Sequence, residues 1–332
     1  MKLSLCMIVR DEIEFLDGCL DSAAGFVDEI VIADTGSRDG TLERAFARAT
    51  RLLQIPWRDH FAEARNVTLE AARGDWILFL DADERLVGEV RSLRAALSVR
   101  DALAWQLEVH SDVGGGRSER FHALRLFRRR EDVRFRGRVH EQVTPGLGAV
   151  MEAEPGWQVR ALSGVHVDHA GYRPDVADAR GKRERNVRLL RRAVAEEPGE
   201  PYLHYKLFQA LGQGDPEAGS HLERAGRLLL AAPAAELQRQ AVAAEVLTAA
   251  AQGWLAAGHA APARTACRRV LDELGSHPAT RLVHAQALLA AGSAAEAGAE
   301  IARALAESPP QSGFHYDRAG FEAAARQLLR RL

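Results

Sequence analysis

The chain changes texture about halfway along its 332 residues, and that change limits what it can fold into. Up to about residue 170, short β-branched runs such as "LSLCMIV" and "EIVIAD" have the length and composition of strands. Stretches of helical spacing separate them. "EIEFLDGCLDSAAGF" puts Phe15, Cys19 and Leu20 on one face, "TLERAFARATRLL" predicts a second helix, and "HFAEARNVTLEAAR" predicts a third that leads into the strand "DWILFL". The order strand–helix–strand–helix–helix–strand implies an α/β domain whose mixed, mostly parallel sheet is flanked by helices. From residue 174 onward the strand pattern is gone. Alanine- and leucine-rich helices follow, broken at Gly214, Pro233, Gly258, Gly275 and Gly292. We therefore expect two domains, 1–173 and 174–332.

The helical half repeats itself. "WLAAGHAAPARTACRRVLDE" (254–273) aligns with "LLAAGSAAEAGAEIARALAE" (288–307) at an offset of 34 residues. Leu255 falls on Leu289, Gly258 on Gly292, Ala263 on Ala297 and Leu271 on Leu305. A helix–turn–helix unit of this period resembles tetratricopeptide repeats, whose small residues let paired helices approach closely. Such arrays suit an extended partner or a homodimer contact better than a small molecule.

Charge adds little. The formal net charge is -2, which points neither to nucleic acid nor to an anionic membrane. The three cysteines, Cys6, Cys19 and Cys267, form no zinc or disulfide pattern, which fits a reduced, cytoplasmic compartment. The opening apolar run is too short for a signal peptide or a spanning helix, so membrane contact would be peripheral.

The chemistry collects at strand ends. "WILFL" runs into Asp81, Asp83 and Glu84, and acids crowded together repel one another unless something positive joins them. "VIADTGSRDGT" ends a second strand in Asp34, followed by a glycine turn, with Thr41 placed to cap the next helix. "MIVRDE" ends a third. In an open α/β sheet, ligands bind at the carboxyl ends of the strands. The glycine turn is neither a dinucleotide fingerprint nor a P-loop. Asp-Ala-Asp can bring two carboxylates to one divalent ion, and oxygen ligands favour Mg²⁺ or Mn²⁺ over zinc.

The order "SLCMIVRDE", "DEIVIADTGSRDGT" and "EARNVTLEAARGDWILFLDADE" resembles family 2 glycosyltransferases of the GT-A fold. "RLFRRREDVRFRGRVHEQV" and "VHVDHAGYRPD", followed by the helical repeats, resemble a bacterial subgroup that includes lipopolysaccharide-core glucosyltransferases and peptide S-glycosyltransferases. The resemblance implies a metal-dependent, inverting transfer from a UDP-sugar, such as a UDP-hexose, to a glycan, lipid-linked sugar or peptide. It implies that Val9 and Glu12 line the nucleoside pocket and that Asp34 accepts a hydrogen bond from the base. Arg65 and Asn66 would lie over the nucleotide-sugar, and Asp81 and Asp83 would hold Mg²⁺ or Mn²⁺ against the diphosphate. His169 is a candidate third metal ligand. For the general base the resemblance favours Glu141 in "GRVHEQV", with Asp168 in "HVDHAGY" as the alternative. Nine arginines lie between residues 117 and 138, among which Arg125 is placed to point inward. Two other functions fit the same pocket: a non-catalytic nucleotide-binding scaffold that recruits a partner through its repeats, or a nucleotidyltransferase.

Overall fold

The computed structural model describes residues 1–112, 118–169, 181–212, 214–240, 242–275, 277–307 and 318–330. It divides into two units, Met1–Arg185 and Asn186–Leu332. The expected boundary between residues 173 and 174 lies outside the described residues.

The first unit is built on an eight-stranded sheet of order β3-β2-β1-β4-β7-β6-β8-β5. Strand β1 (Leu3–Val9) pairs in parallel with β2 (Glu29–Asp34) and with β4 (Trp76–Phe79). Strand β3 (Arg51–Gln54) adds to β2, also in parallel. Beyond β4 the sheet becomes mixed. Strand β7 (Ser118–Arg128) is antiparallel to β4 and to β6 (Ala102–Asp112), while β8 (Gln158–His169) runs parallel to β6. Strand β5 (Glu84–Gly88) closes the row, antiparallel to β8.

Strand β4 is apolar throughout, and β1 is apolar apart from Ser4, because helices cover both faces of the sheet there. On one face Leu3, Leu5, Met7 and Leu78 meet Leu16, Cys19 and Leu20 of α1 (Ile13–Ala23) and Leu93 of α4 (Val90–Leu97). On the other, Cys6, Ile77 and Phe79 meet Ala62 and Leu69 of α3 (Phe61–Ala71) and Leu147 and Val150 of α5 (Thr144–Ala153). One expectation needs correction. The helix read over "TLERAFARATRLL" stops early: α2 spans only Thr41–Arg48, and Arg51–Gln54 form β3. An edge strand of four residues is too short to show a period of two.

The second unit is helical. α6 (Lys182–Glu196) spans the division between the units. It is followed by α7 (Pro201–Leu211), α8 (Ala218–Ala231), α9 (Ala234–Arg239) and α10 (Ala243–Ala256). α11 (Ala260–Arg269) continues through a π turn, Val270–Leu274, and α12 (Pro278–Ala290), α13 (Ala294–Ala306) and α14 (Arg318–Leu329) complete it. The 34-residue offset is physical. The turn between α10 and α11 bonds Gly258 N–H to Leu255 O and His259 N–H to Trp254 O. The turn between α12 and α13 bonds Gly292 N–H to Leu289 O and Ser293 N–H to Leu288 O. Both glycines are left-handed, at φ 81° and 80°, as a helix C-terminal turn requires. Close helix approach is clearest at Gly226 of α8, where an added Cβ would lie 2.5 Å from Ala250 Cβ of α10. Among the described residues, no helix is long and apolar enough to cross a membrane.

Candidate active site

Parallel register brings the carboxyl ends of β2, β1 and β4 side by side, with Val9 opposite Asp34 and Cys6 opposite Phe79. Val9 itself is buried, and its carbonyl accepts from the backbone N–H and the hydroxyl of Thr35. Asp34 is buried as well. Its Oδ1 accepts from the N–H groups of Gly36 (2.8 Å) and Ser37 (3.0 Å), which fixes the turn after β2. Its Oδ2 is buried and has no hydrogen-bond partner among the described residues. An unsatisfied buried acceptor costs on the order of 1–3 kcal/mol, and this oxygen remains able to accept a hydrogen bond.

Glu12 precedes α1, and its N–H donates to Thr41 Oγ1 at 2.8 Å. Thr41 is therefore not the helix cap expected of it. Gly40 holds the cap position at φ 95°, and Asp39 Oδ1 accepts the Thr41 N–H at 3.0 Å. Thr41 instead ties the loop after β1 to the start of α2.

After β4 the chain turns through Asp81, Ala82 and Asp83 and enters β5 at Glu84. The turn is closed twice: Glu84 N–H donates to Asp81 O, and Asp81 N–H donates to Glu84 Oε2, each at 3.0 Å. Two guanidiniums meet the acids, that of Arg65 buried and that of Arg125 half-buried. Arg65 of α3 donates from Nη2 to Asp81 Oδ1 (2.6 Å) and from Nε to Glu141 Oε1 (2.5 Å), so it joins two carboxylates 60 residues apart in sequence. Arg125 of β7 donates to Glu84 Oε1 at 2.6 Å. Both guanidiniums lie against the Phe79 ring, at 5.3 and 4.9 Å from its centroid. Across the sheet, His169 at the end of β8 places Nε2 3.6 Å from Asp83 Oδ1, while its Nδ1 meets Ser111 Oγ at 3.3 Å.

The charges explain the titration. Burial pushes the Asp81 carboxyl up, but Arg65 and Arg125 outweigh it and hold its pKa at about 2. Burial raises Glu84, and Arg125 only partly offsets that. Burial disfavours the charged form of His169, yet Asp83, then Glu84 and Asp81, carry its pKa above the ordinary value. Four carboxylates (Asp81, Asp83, Glu84 and Glu141) thus face two guanidiniums and one imidazole. An excess of acid of this kind suits a divalent cation, and the donor set of Asp81, Asp83 and His169 supplies oxygen and imidazole ligands for one.

The other expected residues fall in different places. Asn66 spends its amide on the backbone of Phe135: Nδ2 donates to the carbonyl (3.0 Å) and Oδ1 accepts the N–H (2.9 Å). It thereby anchors the loop that carries Glu141. That loop folds back through the left-handed residues Gly137 and His140 and is closed by a bridge between Arg136 and Gln142. Asp168 is not brought into the acid cluster. Side chains alternate along a strand, so Asp168 and His166 face away from His169. Arg125 does point inward, onto Glu84. Arg128, Arg129, Arg134 and Arg138 spend donors on backbone carbonyls, and Arg130 pairs with Asp132 and Glu154. Arg117 lies outside the described residues. The sequence reading did not pair Glu84 with Arg125, although it put Glu84 among the crowded acids and pointed Arg125 inward.

The family model described as Glycosyl transferase family 2 matches residues 4–140. The lipopolysaccharide core biosynthesis glycosyltransferase LpsC of Rhizobium meliloti is 31% identical over 224 residues, covering 63% of this chain and 77% of LpsC. The chain belongs to glycosyl transferase family 2. Two further relatives accompany LpsC. A TPR repeat-containing protein of Synechococcus elongatus is 40% identical over 227 residues, 68% of this chain and 56% of that protein. The prophage-derived glycosyltransferase SunS of Bacillus subtilis is 26% identical over 204 residues, 59% of this chain and 46% of SunS. The chain thus spans about half the length of these two relatives. Among solved structures, S. aureus TarS 1-349 aligns over 92% of both chains at 15% identity, with a TM-score of 0.43. The GT-A arrangement of a mixed sheet flanked by helices, followed by a helical region, is the observed fold.

Proposed function

We propose that this chain is a metal-dependent, inverting glycosyltransferase that moves a hexose from a UDP-sugar to a glycan, lipid-linked sugar or peptide. One observation carries the reading. The acid cluster of Asp81 and Asp83 lies at the same sheet edge as Asp34, whose buried Oδ2 lacks a donor among the described residues. A nucleobase with a ring N–H, as in uracil, would satisfy that oxygen. Asp81, Asp83 and His169 would hold Mn²⁺ or Mg²⁺, which when bound neutralises the departing diphosphate.

Each residue then has a task. Asp34 Oδ2 accepts the base N–H. Arg65 fixes Asp81 and Glu141 in one geometry, with Glu141 Oε1 taken by its Nε. Glu141 Oε2 is left to receive the acceptor's proton as the nucleophile attacks the anomeric carbon from the face opposite the diphosphate. That direction of attack inverts the anomeric configuration. Glu84 and Arg125 keep the Asp81 turn closed. Asp168, on the far face of the sheet, takes no part.

The test is release of UDP from a panel of UDP-hexoses with Mn²⁺ present, since slow donor hydrolysis needs no acceptor. Wild type should release UDP, excess EDTA should stop it, and Asp83→Asn should abolish it in a folded protein. With the acceptor in hand, Glu141→Gln should cost on the order of 10²–10⁴ in rate while UDP binding holds. Release of pyrophosphate would make the protein a nucleotidyltransferase. UDP binding without turnover of any donor would make it a scaffold.

A further inference from the structure

Away from the acid cluster, β6 and β8 bring together a second group of ligand-type side chains. Their parallel register sets Glu108 beside His166 and His110 beside Asp168. All four residues alternate away from Val167, Val109 and the pocket residue His169, onto the half-exposed face of the sheet.

The distances within this group are specific. Asp168 Oδ1 is 3.4 Å from His110 Nδ1 and 3.3 Å from His166 Nε2. One ligand atom from each of the three residues falls within 4.8 Å of the others. The two rings stack with centroids 4.2 Å apart and planes 27° from parallel. Contacts of 3.3–3.4 Å are longer than good hydrogen bonds of about 2.7–3.2 Å. They match the edge of a coordination tetrahedron instead: bonds of about 2.0–2.1 Å to one ion separate the ligand atoms by roughly 3.3 Å. The second ring nitrogen of His110 has a partner already. Nε2 lies 2.9 Å from Glu108 Oε2, the carboxylate–imidazole pairing that orients a metal-bound histidine and selects its tautomer.

We propose that His110 Nδ1, His166 Nε2 and Asp168 Oδ1 form a site for a divalent transition metal of the zinc class, with Glu108 orienting His110. Two imidazoles and one carboxylate suit such an ion far better than Mg²⁺ or Ca²⁺. Three protein ligands leave a fourth position for water, and the solvent exposure of Asp168 keeps that position open. The ion would clip β6 to β8 beside the pair Ser111–His169, the last rung before β8 delivers His169 to the opposite face. The site is independent of the donor chemistry assigned to Asp81 and Asp83.

The metal-free protein of residues 1–332, titrated with Zn²⁺ in competition with a chromophoric chelator, tests the proposal. We expect one tightly bound equivalent that survives Asp83→Asn and is lost in His166→Gln and in His110→Gln. Glu108→Gln should weaken Zn²⁺ about 10–100-fold, as loss of an orienting carboxylate does. Co²⁺ should give visible d–d bands in wild type and in Asp83→Asn, and none in His166→Gln. Far-UV circular dichroism checks that each variant is folded, and Glu108→Gln, which removes no ligand, serves as the milder probe. The proposal fails if no tight equivalent binds. It also fails if binding is indifferent to His110, His166 and Glu108, or if Asp83→Asn abolishes it.

Discussion

At the scale of single residues, the pair of buried Glu84 and half-buried Arg125 carries the clearest energetic consequence. Glu84 is 1% exposed, and Arg125 supplies the only opposite charge it contacts among the described residues. Removing one partner of a buried pair leaves a charge without compensation, which costs about 3–5 kcal/mol. Urea denaturation of Arg125→Met should therefore show a loss of that size. The double variant Arg125→Met/Glu84→Gln should recover most of it, because the amide carries no charge and still accepts the Asp81 N–H. Equal losses in the single and double variants would refute the ion-pair account. This pair also shows why part of the site was hidden in the sequence. Asp34, Asp81 and Asp83 stood out because Asp34 ends one apolar run while Asp81 and Asp83 follow another. Arg65 to Glu141 and Arg125 to Glu84 join positions 76 and 41 residues apart, and no local pattern encodes such a pairing.

Among elements, one carboxylate at the amino-terminal end of the parallel strands ties four segments together. Glu29 of β2 accepts from Ser4 Oγ of β1 (2.5 Å), from Arg51 Nε of β3 (3.1 Å) and from the N–H of Arg73 ahead of β4 (2.8 Å). Burial pushes its pKa up, but the bonds from Ser4, Arg73 and Arg51 prevail and bring it below its ordinary value of 4.5. A carboxyl lowered by folding adds stability above its unfolded pKa, and that stability is lost as pH falls through the lower folded value. The affected window is thus on the acid side, starting near pH 4.5 and running downward. Glu29→Gln should cost roughly 1–3 kcal/mol at neutral pH, the worth of hydrogen bonds to a charged group, and should flatten the decline of stability below pH 4.5. A variant that keeps the wild-type acid profile would show that Glu29 is not the group responsible. The same strands explain what could be read of the fold. β1, β2 and β4 were legible because burial on both faces gives each a mostly apolar run, broken only by Ser4 in β1 and by Glu29 and Asp34 at the ends of β2. β3 and β5 were not, since four and five residues with charged members look like the end of a helix or a loop. The helical repeat was legible because its turn glycines recur at a fixed offset.

For the whole molecule, the decisive property is that each unit has an apolar core of its own. Leu5, Leu16 and Leu78 belong to the core of the first, while Val246, Trp254 and Val283 belong to that of the second. Units with separate cores can unfold separately. The residues proposed to hold the donor, Asp34, Asp81, Asp83 and His169, all lie in the first unit. Past residue 186 the described histidines meet groups of the helical unit itself: His204 meets His221 and the Pro198 carbonyl, Nδ1 of His277 meets Thr280, and Nδ1 of His284 lies 3.9 Å from Glu300. UDP with Mn²⁺ should therefore stabilise the first unit alone. At 100 times the dissociation constant, a ligand that binds only the folded state adds about 2.7 kcal/mol. For a unit of this size that amounts to roughly 2–4 °C in Tm per kcal/mol. Calorimetry of the full chain should show two transitions, of which UDP and Mn²⁺ move one upward by several degrees and leave the other in place. Asp83→Asn should remove the shift without altering either transition in the absence of ligand. A single transition that moves as a whole, or a shift of both, would mean that the helical unit is energetically coupled to the donor site.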